Sequence, residues 1–312
     1  MPHNFRRLHA RRAPPLDARE GNADGADWVG PLPPGRNLLH HGRALGRLVL
    51  VALVTLLAAP VQAALLLLPG SGCRRFPKLY WRAVCRCIGL RVACTGACAE
   101  PGATVGRGVL YVANHVSWLD IPALGSVLPA GFVAKQEVRG WPLVSLIARL
   151  GRTVFVRRRR HSVREELAMM RARLAQGDAL VLFPEGTSSD GSRVLPFYSA
   201  FLAVVTHAGD GAPVPLVQPV SVAYDRLAGL PAGRATRPLF AWYGAMDLAP
   251  HCWHLLQQRS CRASVVLHEA FDPAALPSGR KHLADAVWHR VANGAATLRQ
   301  NRPPKPLAGP SA

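Results

Sequence analysis

The sequence predicts an α/β domain with a central, mostly parallel sheet and flanking helices, preceded by an N-terminal membrane-inserted helix. Three observations predict it. A run of 21 residues, Leu48–Leu68, carries no charge. From about residue 90, short β-rich runs alternate with helical stretches, the pattern of strands joined by helices. Each polar motif follows one of those runs, where α/β sheets place their sites.

The elements follow in chain order. Residues 1–40 are rich in Arg, Pro, Gly and Asp without periodicity. They read as a disordered basic tail, or as non-native residues added by a mis-assigned start. Leu48–Leu68 (LVLVALVTLLAAPVQAALLLL) holds one amide, Gln62. At about 1.5 Å per residue a helix of this length spans a bilayer's hydrocarbon core. Pro60 leaves a kinked, re-entrant or interfacial hairpin as the alternative. Arginines flank both ends, so the positive-inside rule sets no orientation. The run starts too deep and is too long for a secretory signal. Phe76–Gly89 (FPKLYWRAVCRCIG) is basic and amphipathic, and its Tyr80, Trp81 and arginines suit a helix at headgroup level. Residues 41–89 are therefore expected to form the anchor and interfacial helix, 90–300 the folded domain, and 301–312 a second disordered tail.

Within the domain, strands are expected at Val109–Ala113, Phe132–Ala134, Thr153–Val156, Ala179–Phe183 and Val214–Ala223. A helix is expected between the third and fourth, from the capping box Ser162/Glu165 to Gly177. Residues 228–312 carry no motif that points to chemistry.

Hydrophobic residues make up 49% of the 312, enough for a sizeable core. Only 18% are charged, but 38 Lys and Arg face 18 acids, a net charge of +20. Such a surface seeks anions. The apolar run favours anionic membrane lipids over nucleic acid, for which no motif is present. The seven cysteines are odd in number and form no CxxC pair, which predicts reduced thiols in a cytosol-facing protein and no metal site.

Three motifs carry chemistry. NHVSWLD (Asn114–Asp120) follows the first strand and places Asp120 five positions after His115. Five residues apart on one helix would point about 140° away from each other. The two can pair only if His115 lies in the turn before a helix, with Ser117 as the expected N-cap. A neutral imidazole would then take a proton while the carboxylate fixes its tautomer. No GxSxG elbow offers a protein nucleophile. FPEGTS (Phe183–Ser188) forms a tight turn expected to expose Glu185 beside free N–H groups, suited to a polyol or phosphate headgroup. GRTVFVRRRR (151–160) brings arginines to another strand end, and Lys135 of AKQE adds a charge upstream.

The order NHVSWLD, AKQE, GRTVFVRR, FPEGTS and QPVSVAY resembles the lysophospholipid acyltransferase family, typified by 1-acyl-sn-glycerol-3-phosphate acyltransferase, over roughly residues 85–225. The resemblance implies a membrane-bound O-acyltransferase with the HX4D motif. His115 would be the general base and Asp120 its orienting partner. A substrate hydroxyl would attack the thioester of an acyl carrier protein or coenzyme A, without an acyl-enzyme and without a bound cofactor. Arg158 and Lys135 would meet the acceptor's phosphate. Glu185, Gly186 and Thr187 would hold its headgroup, and Pro219 would shape the acyl-chain site. The implied place is a bacterial-type inner membrane with a cytoplasm-facing site. The lysophospholipid acceptor implied first is lysophosphatidic acid. The alternative is lyso-ornithine lipid, whose acyltransferases TSSDGSRVLPF also resembles. Arg157 stands where many members carry Asp, and Tyr198 and Ala200 where a basic residue and glycine are common. A non-catalytic basic adaptor is disfavoured because His115, Asp120 and Glu185 are all present.

Overall fold

A computed structural model describes residues 38–100, 107–135, 146–148, 150–156, 163–206, 214–276 and 279–309. Of the expected disordered tail over residues 1–40, residues 1–37 lie outside them, and Leu38–His40 are helical instead. The first helix, α1 (Leu38–Leu67), has 30 residues, about 45 Å of length. It is long and apolar enough to cross a membrane, and little of it is buried. Leu56 and Leu57 are each 71% exposed.

This helix extends ten residues before the apolar run, and those residues dock. Arg43 donates to Gln257 O at 2.8 Å, and Arg47 to Leu256 O and Gln258 O at 2.9 and 2.6 Å. These carbonyls close a helix at Leu248–Gln257, where the dipole is negative and acceptors are free. The second helix, α2 (Gly72–Ile88), returns alongside the first. Gln62 Nε2 donates to Cys73 O at 3.0 Å, Thr55 Oγ1 meets Tyr80 Oη at 3.0 Å, and Arg47 packs on Gly89. Partners that rise in one helix as they fall in the other make an antiparallel hairpin.

The lone amide of the apolar run is spent inside the protein. Gln62 is 3% exposed and also donates to Leu150 O at 2.8 Å. Tyr80 and Trp81, expected at headgroup level, are half-buried against neighbouring helices. Tyr80 bonds Thr55, and Trp81 packs so closely on Gly125 that a Cβ there would strike the indole. Both belong to the stripe of α2 that turns inward with Val84, Cys85 and Ile88. Arg75, Leu79 and Arg86 stay exposed on the other side.

The eight-stranded sheet comprises β1 (Leu90–Thr95), β2 (Val109–Ala113), β3 (Gly131–Lys135), β4 (Val154–Val156), β5 (Ala179–Leu182), β6 (Leu216–Leu227), β7 (Leu230–Pro231) and β8 (Cys261–Leu267). Its order is β1-β8-β6-β2-β5-β3-β4, with β7 paired to β6. Strands β6, β2, β5, β3 and β4 are mutually parallel, whereas β8 and its parallel neighbour β1 run against them. All five expected strands are present. β6 continues past Ala223 to Leu227, and β1, β7 and β8 were not anticipated. The parallel run brings the C-terminal ends of β2, β3, β4 and β5 to one edge, so the loops bearing the motifs share it.

Every residue of β2 is buried, because helices cover both faces. Leu110 and Val112 pack with Met170 and Leu174, and with Val287, Val291 and Ala295. Val109, Tyr111 and Ala113 pack with Leu124 on the opposite face. The helices involved are α3 (Asp120–Val127), α4 (Val163–Ala175) and a long C-terminal helix at Arg280–Arg299. Gly177 follows α4 at φ 73°, as a C-terminal stop requires. Ser162 of the expected capping box lies outside the described residues.

The Pro-rich end departs from its expectation. Leu307 N–H donates to His268 Nδ1 at 3.0 Å, and Gly309 N–H to Glu269 Oε2 at 3.0 Å, so the chain is pinned to the end of β8 through residue 309. With Nδ1 accepting, the His268 proton sits on Nε2, facing Ser221 Oγ at 2.9 Å; that hydroxyl donates to Val291 O. Burial, then the charge of Arg290, push His268 from 6.5 down to about 4. A histidine held neutral in the fold favours the fold above its unfolded pKa. That contribution is lost as pH falls from 6.5 toward 4. The loss by pH 5 is about 2 kcal/mol. In thermal unfolding between pH 7 and 5, His268→Gln should have a lower but flatter Tm profile than the parent chain. Equal slopes would remove His268 as the titrating group.

Candidate active site

Strand β2 ends at Ala113 and the chain turns at once. Asn114 makes that turn possible. Its Nδ2 donates to Val222 O at 3.0 Å, and Val222 N–H donates to its Oδ1 at 2.8 Å. The side chain thus replaces a strand residue against β6 while the backbone leaves the sheet. His115 follows, and α3 starts at Asp120. His115 Nδ1 lies 2.7 Å from Asp120 Oδ2. The histidine precedes the helix, so the pair can meet.

Asp120 is fully buried and saturated. Its Oδ2 also accepts the N–H of Val116 at 2.7 Å and of Ser117 at 2.9 Å. Its Oδ1 accepts the Tyr224 hydroxyl at 2.6 Å. Ser117 is not the N-cap. Among the described residues its buried hydroxyl has no partner, and the Asp120 carboxylate takes up the loop N–H groups instead. A carboxylate facing Nδ1 selects the tautomer with the proton there, which leaves the Nε2 lone pair free. Among the described residues Nε2 makes no hydrogen bond, and the His115 side chain is 21% exposed. The imidazole stacks on Phe183 with centroids 4.3 Å apart. One nitrogen is fixed, one ring face is covered, and one basic nitrogen is open.

The FPEGTS turn corrects one expectation. Gly186, at φ 67°, lets its N–H reach Phe183 O at 3.1 Å. Glu185 is therefore turned inward, and it is 1% exposed rather than displayed. Its Oε1 accepts His115 N–H at 2.7 Å and its Oε2 accepts Leu195 N–H at 2.8 Å. The cause is sheet order: β5 lies beside β2, so an inward side chain from one loop meets the next. Burial pushes Glu185 up to about 8, against the downward pull of those two N–H groups. Ser189 N–H adds a bond to His115 O at 2.9 Å. The backbone of His115 is thereby held on both sides.

Thr187 is exposed on this loop and Gly186 half-buried. Lys135 ends β3, parallel to β5, and so lies at the same sheet edge as His115. Arg157 and Arg158 lie outside the described residues. Pro219 is buried within β6, opposite Val112. Among the described residues no three His, Cys, Asp or Glu side chains group as a metal site. Sequence reasoning missed Phe183, Tyr224 and Asn114 as parts of the site.

The acyltransferase family model matches residues 93–223. Over 250 residues the chain is 40% identical to the lyso-ornithine lipid O-acyltransferase of Brucella abortus, covering 78% of this chain and 91% of that protein. It is 39% identical over 123 residues to the 1-acyl-sn-glycerol-3-phosphate acyltransferase of Neisseria gonorrhoeae, covering 36% and 48%. The crystal structure of the 1-acyl-sn-glycerophosphate acyltransferase of Thermotoga maritima superposes with a TM-score of 0.59 at 24% identity, over 86% of this chain and 98% of that one, which shows a shared fold.

Proposed function

The chain belongs to the acyltransferase family acting on lysolipids, and from that premise we propose that it moves a fatty acyl group from a thioester to the free hydroxyl of a lyso-ornithine lipid. The open Nε2 of His115, fixed from behind by Asp120, carries the proposal. His115 Nε2 takes the acceptor hydroxyl's proton as that oxygen attacks the thioester carbonyl. The C–O bond forms, the tetrahedral intermediate collapses, and the C–S bond breaks. The departing thiolate recovers the proton from Nε2. The donor is acyl carrier protein or coenzyme A, and no acyl-enzyme forms. The basic surface suits an acidic carrier and anionic lipid.

Lysophosphatidic acid, the acceptor first expected, becomes the second reading. The lyso-ornithine relative matches across 91% of its length, the glycerophosphate relative across 48%. Gly186, Thr187, Lys135 and Arg158 are assigned to the acceptor headgroup. Glu185 supports the site by holding the His115 backbone. Residues 41–89 form the membrane anchor and 90–300 the catalytic domain.

The protein is membrane-associated. We place it on the inner membrane with its site toward the cytoplasm. The α1–α2 hairpin supports an anchor that enters and returns, since its two ends meet at Arg47 and Gly89. The test offers labelled acyl carrier protein and acyl coenzyme A to purified chain with each acceptor in parallel. Transfer to lyso-ornithine lipid is expected to exceed transfer to lysophosphatidic acid by about tenfold or more in kcat/KM. The reverse order would restore lysophosphatidic acid, and transfer to neither would end the reading.

A further inference from the structure

A small cavity lies beside the loop that carries the dyad. Val116 and Tyr224 line it, and both donate hydrogen bonds to Asp120. Gly191 of the loop after Glu185 lines it too, and so do Arg237 and Arg299. Arg237 comes from the 3-10 turn Arg237–Leu239, and Arg299 ends the C-terminal helix. Two guanidinium groups therefore share one cavity beside the catalytic loop, both from the stretch in which the sequence shows no motif.

Their bonding differs. Arg237 Nη2 donates to the carbonyl of Arg299, which accounts for the helix end. The guanidinium of Arg299 has no hydrogen bond or ion pair among the described residues, although the residue is only partly exposed. Burial, then the neighbouring charge of Arg237, make its charge costly, and Asp190 offsets that in part from a distance. Among the described residues neither Asp190 nor Glu185 makes an ion pair with it. Asp190 accepts from Ser192 N–H and Oγ, and both oxygens of Glu185 accept backbone N–H groups. A half-enclosed cation that no acid contacts is stabilised when an anion arrives.

We propose that Arg299, backed by Arg237, is an anion subsite that holds the carboxylate or phosphate of the acceptor's headgroup beside the His115–Asp120 dyad. A planar guanidinium suits either oxyanion through two parallel N–H bonds. An ornithine headgroup presents a carboxylate, and lysophosphatidic acid a phosphate. The inference rests on the acyl-transfer reading.

The test is steady-state acyl transfer by the purified full chain, comparing the parent with Arg299→Gln and Arg299→Lys. Arg299→Gln is expected to raise the KM for lyso-ornithine lipid about tenfold, with kcat changed far less and the donor KM unchanged; Arg299→Lys should recover part of the loss. A second measurement guards against a misfolded variant. Converting the headgroup carboxylate to its amide should cost the parent about tenfold in kcat/KM and cost Arg299→Gln almost nothing, because the two changes remove one interaction. A KM rise for lysophosphatidic acid as well would mean that the subsite takes either anion. A rise confined to lyso-ornithine lipid would mean that it reads the carboxylate. An unchanged acceptor KM, or a rise confined to the coenzyme A donor, overturns the proposal. His115→Ala separates the two levels. If it abolishes transfer while Arg299→Gln leaves acceptor KM untouched, the subsite fails and the reaction stands.

Discussion

Replacing His115 by Ala is expected to lower kcat for acyl transfer by about 10³-fold, equivalent to about 4 kcal/mol of barrier. The size follows from the role we propose for the imidazole. A lipid hydroxyl is a poor nucleophile unless its proton is removed as the C–O bond forms, and Nε2 is a base that the fold leaves open. The substitution should spare the fold. Asp120 keeps the bonds from Val116, Ser117 and Tyr224. The bonds that place the His115 backbone, to Glu185 and Ser189, do not involve its side chain. Membrane association, which we assign to α1, should be unchanged in flotation, and Tm should move by only a few degrees. Activity within tenfold of the parent would remove His115 as the base. Lost activity with lost membrane association would point to misfolding.

The dyad was legible because its grammar is local. A strand, a histidine, and an aspartate five positions on admit one geometry in which the two can meet, and the structure has it. What lies around the dyad was not legible. Tyr224 reaches Asp120 across 104 positions of sequence, and Asn114 reaches Val222 across 108. Both meetings arise from β6 lying beside β2, an order that strand periodicity does not encode. Glu185 was misread for the same reason. A Pro-Glu-Gly turn looks solvent-exposed until the neighbouring loop is known to supply N–H donors. The missed strands had a different cause. In β1 the residues alternate irregularly between buried and exposed because it is an edge strand, and β8 begins with Cys-Arg. Arg299 could not be singled out among the many arginines, since its distinction is having no hydrogen-bond or ion-pair partner among the described residues rather than having a motif.

Asp120→Asn is expected to lower kcat by about 10³-fold, nearly as much as loss of the base, while leaving most of the site's geometry in place. Asparagine offers one acceptor oxygen where the carboxylate offers two. The Tyr224 hydroxyl can rotate to accept, so Nδ2 can turn toward it and the oxygen toward Val116, Ser117 and His115. That arrangement removes the negative charge and keeps the shape. The loss would therefore measure the charge that steadies the imidazolium once His115 holds the acceptor's proton. Tyr224→Phe separates the same carboxylate from its other donor. Without that hydroxyl, more negative charge stays on the oxygens facing His115, and the imidazole binds its proton more tightly. The acidic limb of kcat/KM against pH should then move to higher pH, with kcat on the plateau down about tenfold. A tyrosine that merely filled space would leave the limb in place, because phenylalanine fills that space too. A limb that stays fixed or moves to lower pH would show that Tyr224 does not act through Asp120. If Asp120→Asn also kept activity within tenfold of the parent, the charge behind His115 would not be what drives proton transfer.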